Sequence, residues 1–127
     1  MDQNQTKIIT GRIFTAQIIE GDIFSLTFLP NKQATASDFK AGYDAYNTLR
    51  NGKVLKVVIE HGEYTIIDTS AREYLQNNTF EAICSATVMH SIGQRIVYNF
   101  YVKVRKRNYP IKAFKSKQNA IDWLKNF

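Results

Sequence analysis

The sequence predicts an α/β domain in which a mixed, mostly parallel sheet of about five strands is flanked by helices. Three observations lead there. Short runs rich in Val, Ile, Phe and Thr alternate with stretches whose apolar residues recur at helical spacing. The first two runs are split by a glycine-containing turn, as in a hairpin. The run Val54–Ile59 is almost wholly apolar and β-branched, as a strand becomes when both of its faces are covered. Strands that alternate with helices call for crossover units and a parallel sheet. The 127 residues suit one hydrophobic core, so residues 1–127 are read as a single domain with Met1–Thr6 as a loose polar tail.

The elements follow in order. Arg12–Ile19 and Ile23–Phe28 form the hairpin around Glu20-Gly21-Asp22, and Leu29-Pro30-Asn31 stops the second strand. A helix then starts at Ser37 or Asp38 as N-cap. Phe39, Tyr43, Tyr46 and Leu49 line one face of it, and Asn51-Gly52 ends it, with Gly52 suited to a left-handed backbone. After the Val54–Ile59 strand come a loop through His61-Gly62, a short apolar piece at Tyr64–Ile67, and a second helix opened by Asp68-Thr69-Ser70. Ala82–Val88 reads as a central strand of small apolar residues. Ser91–Val104 is ambiguous, since its apolar residues fit both a strand period and a helical stripe, and propensity favours the strand. Ile111–Phe114 is extended, and Ser116 caps a closing helix, Lys117–Asn126.

The layout resembles the anti-sigma-factor-antagonist group, the STAS or SpoIIAA-like fold, and small uncharacterised bacterial proteins that share it. The resemblance is carried by VLKVVIE (Val54–Glu60) with DTSAREYL (Asp68–Leu75), by AICSATVMHSIGQRIVYNFYV (Ala82–Val102), and by PIKAFKSKQNAIDWL (Pro110–Leu124), covering roughly residues 37 to 127. It implies a helix over Ser91–Val104, which a parallel sheet also needs as a crossover between Val88 and Ile111. Phosphorylatable members of the group carry Asp-Ser-Ser-Gly at a strand-to-helix turn. The matching positions here are Asp68, Thr69, Ser70 and Ala71, so the resemblance implies Ser70 as a regulated hydroxyl and Asp68 and Thr69 as its neighbours in a partner-binding surface. A phosphate would meet free N–H groups there. Ala71 departs from the glycine, and Arg72 and Glu73 replace small apolar residues. Capping alone also accounts for the Thr and Ser.

Charge adds a second candidate surface. Residues 1–80 hold eight Lys or Arg and nine Asp or Glu, whereas residues 81–127 hold nine basic and two acidic residues. The basic excess therefore lies in the last third, at Lys103, Arg105, Lys106, Arg107, Lys112, Lys115 and Lys117, interleaved with Tyr109 and Phe114. This patch suits an acidic protein, anionic lipid head groups or nucleic acid; a solvated face explains the same residues, and no nucleic-acid motif accompanies them.

Catalytic and metal chemistry find little support. His61 and His90 lack any nucleophile motif and are read as surface or half-buried structural residues. Cys84, in an apolar strand, is read as a buried thiol of raised pKa, and as the lone cysteine it can form no intramolecular disulfide. Glu60 and Asp68 stand near strand ends but need a cleft to act as a pair. One Cys and two distant His do not make a zinc site, and the scattered glycines form no phosphate loop. No cofactor is expected. No apolar run spans a bilayer and no signal peptide is visible, so the expected location is the cytoplasm. The expected function is thus non-enzymatic: a regulatory or interaction domain that binds another protein, with homodimerisation through an edge strand or helix face open. The alternative is a pocket for an apolar or lipid-like molecule, suggested by the aromatic excess that includes Tyr43, Tyr46, Tyr98, Phe100 and Tyr101.

Overall fold

A computed structural model describes residues 7–91, 93–95 and 109–127. Its main sheet has six strands: β1 (Ile9–Thr10), β2 (Phe14–Ile19), β3 (Ile23–Phe28), β5 (Leu55–Glu60), β7 (Ala82–Val88) and β8 (Ile111–Phe114), side by side in that order. The hairpin β2–β3 is antiparallel, and β3, β5, β7 and β8 run parallel. The expected mixed sheet is therefore present, extended by the two-residue edge strand β1. Glu20 and Gly21 both take positive φ, 53° and 83°, in the hairpin turn expected at Glu20-Gly21-Asp22, and glycine adopts that conformation without steric cost.

Two further strands were not foreseen. β4 (Gln33–Ala34) and β6 (Ile66–Ile67) pair in parallel as a separate two-stranded ribbon. Each is too short to show a period in the sequence, and each leads at once into a helix. Their pairing sets the starts of α1 (Ala36–Arg50) and α2 (Thr69–Asn77) side by side. The two loops before the helices are laced together. Thr65 Oγ1 donates to Leu29 O, and the amides of Asn31 and Ile66 donate to Glu63 O and Lys32 O at 2.9 Å each. Gly62 permits the close approach, since a Cβ there would stand 2.1 Å from Leu29 O.

The cap of α1 corrects the sequence reading. Thr35, rather than Ser37 or Asp38, is the N-cap, and Asp38 is the third helical residue. Its carboxylate reaches back to accept from the Thr35 amide (2.9 Å) and hydroxyl (3.1 Å). At the other end the left-handed backbone begins one residue early, at Asn51 (φ 53°), and continues through Gly52 (φ 80°).

Two cores cover the sheet. On one face, Phe14, Phe24, Leu26, Phe28 and Val57 pack beneath Phe39, Ala45 and Tyr46 of α1, Ala71 of α2, and Phe80. On the other, Ile23, Val58, Cys84, Ala86 and Val88 pack against Ala120 and Leu124 of α3 (Lys117–Lys125), which Ser116 caps by accepting from Asn119 N at 3.1 Å. Cys84 is buried as expected, and burial pushes its thiol pKa up. The expected helix over Ser91–Val104 lies outside the described residues except for its start. There residues 93–95 are helical, and Arg95 N donates to Ser91 O at 3.2 Å.

Candidate ligand cavity

The site lies on the first face, lined by residues of α1, α2, β5, β7 and β8. A β-bulge between Leu55 and Val57 shifts the β5–β7 register, so that Val57 faces Ser85 and Ile59 faces Thr87. Side chains of consecutive strand residues alternate between faces. Cys84, Ala86 and Val88 therefore enter the second core, while Ser85, Thr87 and Met89 floor a cavity of about 310 Å³ on the first. Ile59 and Ile111 complete the floor. Phe39 and Tyr43 of α1, with Tyr74 and Leu75 of α2 and Phe80 beyond it, form an apolar wall. His61, Thr65 and Gln94 close one end, where Gln94 Nε2 donates to Gly62 O (3.2 Å) and Thr65 O (3.1 Å).

His61 corrects the sequence reading. It is buried, with 7 % of its surface exposed, and stacks on Phe28 with ring centroids 6.1 Å apart. Burial, with a smaller contribution from nearby His90, pushes its pKa down to about 4, so the imidazole is neutral at pH 7. His90 is at the strand end, as expected, with Nε2 3.4 Å from Glu60 Oε2.

Of the aromatic residues proposed for a pocket, Tyr43 lines the cavity but Tyr46 does not. The Tyr46 hydroxyl donates to Glu81 O and accepts from Leu55 N at 3.1 Å, which makes it a fastener between α1 and the sheet. Tyr98, Phe100 and Tyr101 lie outside the described residues.

Asp68, Thr69 and Ser70 open α2 as the sequence indicated, beside the cavity rim. Asp68 Oδ1 accepts from Ala71 N (2.8 Å) and Ser70 Oγ (2.7 Å), and these bonds hold its carboxyl below the usual carboxylate range. Ser70 Oγ also accepts from Ala36 N at 3.1 Å, joining the first turns of the two helices. Thr69 Oγ1 accepts from Arg72 at 3.2 Å.

Lys103, Arg105, Lys106 and Arg107 lie outside the described residues. Lys112 and Lys115 are exposed, with Lys112 Nζ 5.5 Å from the Phe114 ring centre. Lys117 is half-buried on the α3 side of the sheet, 3.8 Å from Glu60 Oε1 and 3.4 Å from Thr27 Oγ1. Among the described residues, no three His, Cys, Asp or Glu side chains are grouped to hold a metal ion. Nor is any described helix long and apolar enough to cross a membrane.

The family described as a domain of unknown function, DUF7793, matches residues 17–127. The chain belongs to the DUF7793 family. Among solved structures, this DUF7793 protein is similar to an uncharacterised protein of the DUF3478 family with a SpoIIAA-like fold from Shewanella loihica PV-4. The two share 15 % identity over 98 % of each chain, with a TM-score of 0.62. This shows that the fold is SpoIIAA-like. A protein of unknown function from Arthrobacter sp. FB24 also matches, at 18 % identity over 95 % of this chain and 98 % of that one, but its TM-score of 0.34 is too low to compare the folds. No curated protein sequence matches the DUF7793 chain.

Proposed function

We propose that this DUF7793 protein binds a small, largely apolar molecule in the cavity between α1, α2 and the β7–β8 edge of the sheet, and that it acts by binding rather than by catalysis. The observation that carries the reading is a concave site of about 310 Å³ walled by Phe39, Tyr43, Tyr74, Leu75 and Phe80, with few polar groups among them. Sites of this size and lining suit small organic ligands. Their driving force is the removal of apolar surface from water. Native mass spectrometry of the protein purified from its expressing cells tests this. A non-covalent adduct, or uptake of added 1-octanol, is expected in the wild type and is lost in Leu75→Trp, which fills the cavity from α2. A wild type that carries no adduct and takes up no 1-octanol contradicts the proposal.

A second reading, partner binding at the start of α2, is supported by Ser70, an exposed residue whose hydroxyl links Asp68 to the first amide of α1. A phosphate there would replace that link with about two negative charges beside Asp68. Affinity capture with wild type and Ser70→Asp tests it: a partner held by one form alone supports a switch, and identical capture by both removes it.

A further inference from the structure

We infer that the cavity recognises one uncharged hydrogen-bonding group of its ligand, a hydroxyl or a carbonyl, through Ser85, Thr87 and His61; this rests on the reading of the cavity as an apolar ligand site. Ser85 and Thr87 belong to β7, and His61 follows the end of the adjacent parallel strand β5. Ser85 is opposite Val57 and Thr87 opposite Ile59, and His61 continues the line of β5 two residues past Ile59, its amide donating to Val88 O at 3.0 Å. All three line the cavity and are buried, with 7 %, 4 % and 7 % of their surfaces exposed.

Among the described residues, neither hydroxyl and neither ring nitrogen of this trio has a hydrogen-bond partner. Thr65, the other buried polar residue of the lining, provides the contrast, since its hydroxyl donates to Leu29 O and accepts from Lys32 N at 3.3 Å. Buried polar side chains are nearly always satisfied. Three without a partner among the described residues, converging on a concave apolar site, mark the place where a ligand presents its polar end.

The charge of that end follows from the surroundings. Arg72 is the only charged residue among the described lining, and it is exposed, its guanidinium already donating to Ile67 O (2.7 Å) and Thr69 Oγ1. Among the described residues no free counter-charge stands at Ser85 and Thr87, and an ionised head group taken out of water unpaired is costly. The neutral imidazole offers one donor and one acceptor, and each hydroxyl offers both, which matches an alcohol or a carbonyl. At the roughly 30 Å³ that one water-sized unit occupies in a liquid, the cavity holds on the order of ten non-hydrogen atoms.

The test compares 1-octanol with n-nonane, which have the same number of non-hydrogen atoms, and with octanoate at pH 7, by ¹⁵N NMR titration. Thr87→Val and Ser85→Ala, which keep or reduce side-chain volume in a rigid strand, are each expected to lower the affinity for 1-octanol relative to n-nonane by about three- to tenfold. The His61 ring nitrogens are expected to shift with 1-octanol and not with n-nonane. If both probes bind and the variants leave their ratio unchanged, head-group recognition is wrong while the cavity reading stands. Octanoate binding more tightly than 1-octanol overturns the assignment of a neutral group. If no probe binds the wild type, the cavity reading itself falls, and this inference with it.

Discussion

The His61 imidazole lies flat against the Phe28 ring, their planes 9° from parallel, inside the wall of the cavity. The burial of His61 ties the stability of the protein to pH. In the unfolded chain His61 takes up a proton near pH 6.5, but in the folded one its pKa is pushed down to about 4. Above pH 6.5 both states are neutral and the residue contributes no pH dependence. Between those values the unfolded state binds more protons, so stability falls as the pH falls, by roughly 3 kcal/mol in all. Urea unfolding at steps from pH 7 to 4 should show this loss, and His61→Phe should flatten it. An equal slope in the variant places the pH dependence elsewhere.

Asp38 is 3 % exposed, yet it sits at the first turn of α1 against the exposed Arg12. Burial acts to raise its pKa, but hydrogen bonds from Arg12 Nη2 (2.6 Å) and Thr35 outweigh it and hold the carboxyl below its usual range. Asp38→Ala is expected to cost about 2 kcal/mol in chemical denaturation, because the helix start and the Arg12 anchor are lost together.

Tyr46→Phe removes only an oxygen but deprives Glu81 O and Leu55 N of a partner at once. The expected loss is about 2 kcal/mol, read as a lower denaturation midpoint at an unchanged slope.

Thr87→Val should act in the opposite direction in the absence of ligand. It replaces a buried hydroxyl that has no partner among the described residues with a methyl group of similar shape, and thermal unfolding should show a gain of about 1 kcal/mol. A loss of stability instead would mean that the hydroxyl is satisfied within the protein.

The fold was largely legible in the sequence because its strands and helices carry clear periods. The hairpin, the buried strand now seen as Leu55–Glu60, and the helices capped at Asp68 and Ser116 all stand where local chemistry put them. The misplaced N-cap had a legible signal, Thr35-x-x-Asp38, but Ser37 was an equally good cap by residue type. The β4–β6 ribbon was not legible, since two-residue strands depend on a partner 33 residues away. The cavity was only half visible. Tyr43 belongs to it, but its polar floor was hidden because Ala82–Val88 reads as a strand of small apolar residues. The alternation of Ser85 and Thr87 with Cys84, Ala86 and Val88 was the available signal, and the face each set takes depends on the bulge. His61 lies in the loop after β5, as the sequence indicates, but its burial was not legible because nothing local reports that Phe28 stacks on it.

The most direct test is an amide NMR titration of the wild type with 1-octanol, following both faces of the sheet. Ligand binding in the cavity predicts saturable shifts at Tyr43, Leu75, Thr87 and Met89, with Trp123 and Leu124 on the opposite face unmoved. Shifts absent from the cavity residues, or spread equally over both faces without saturation, would contradict it.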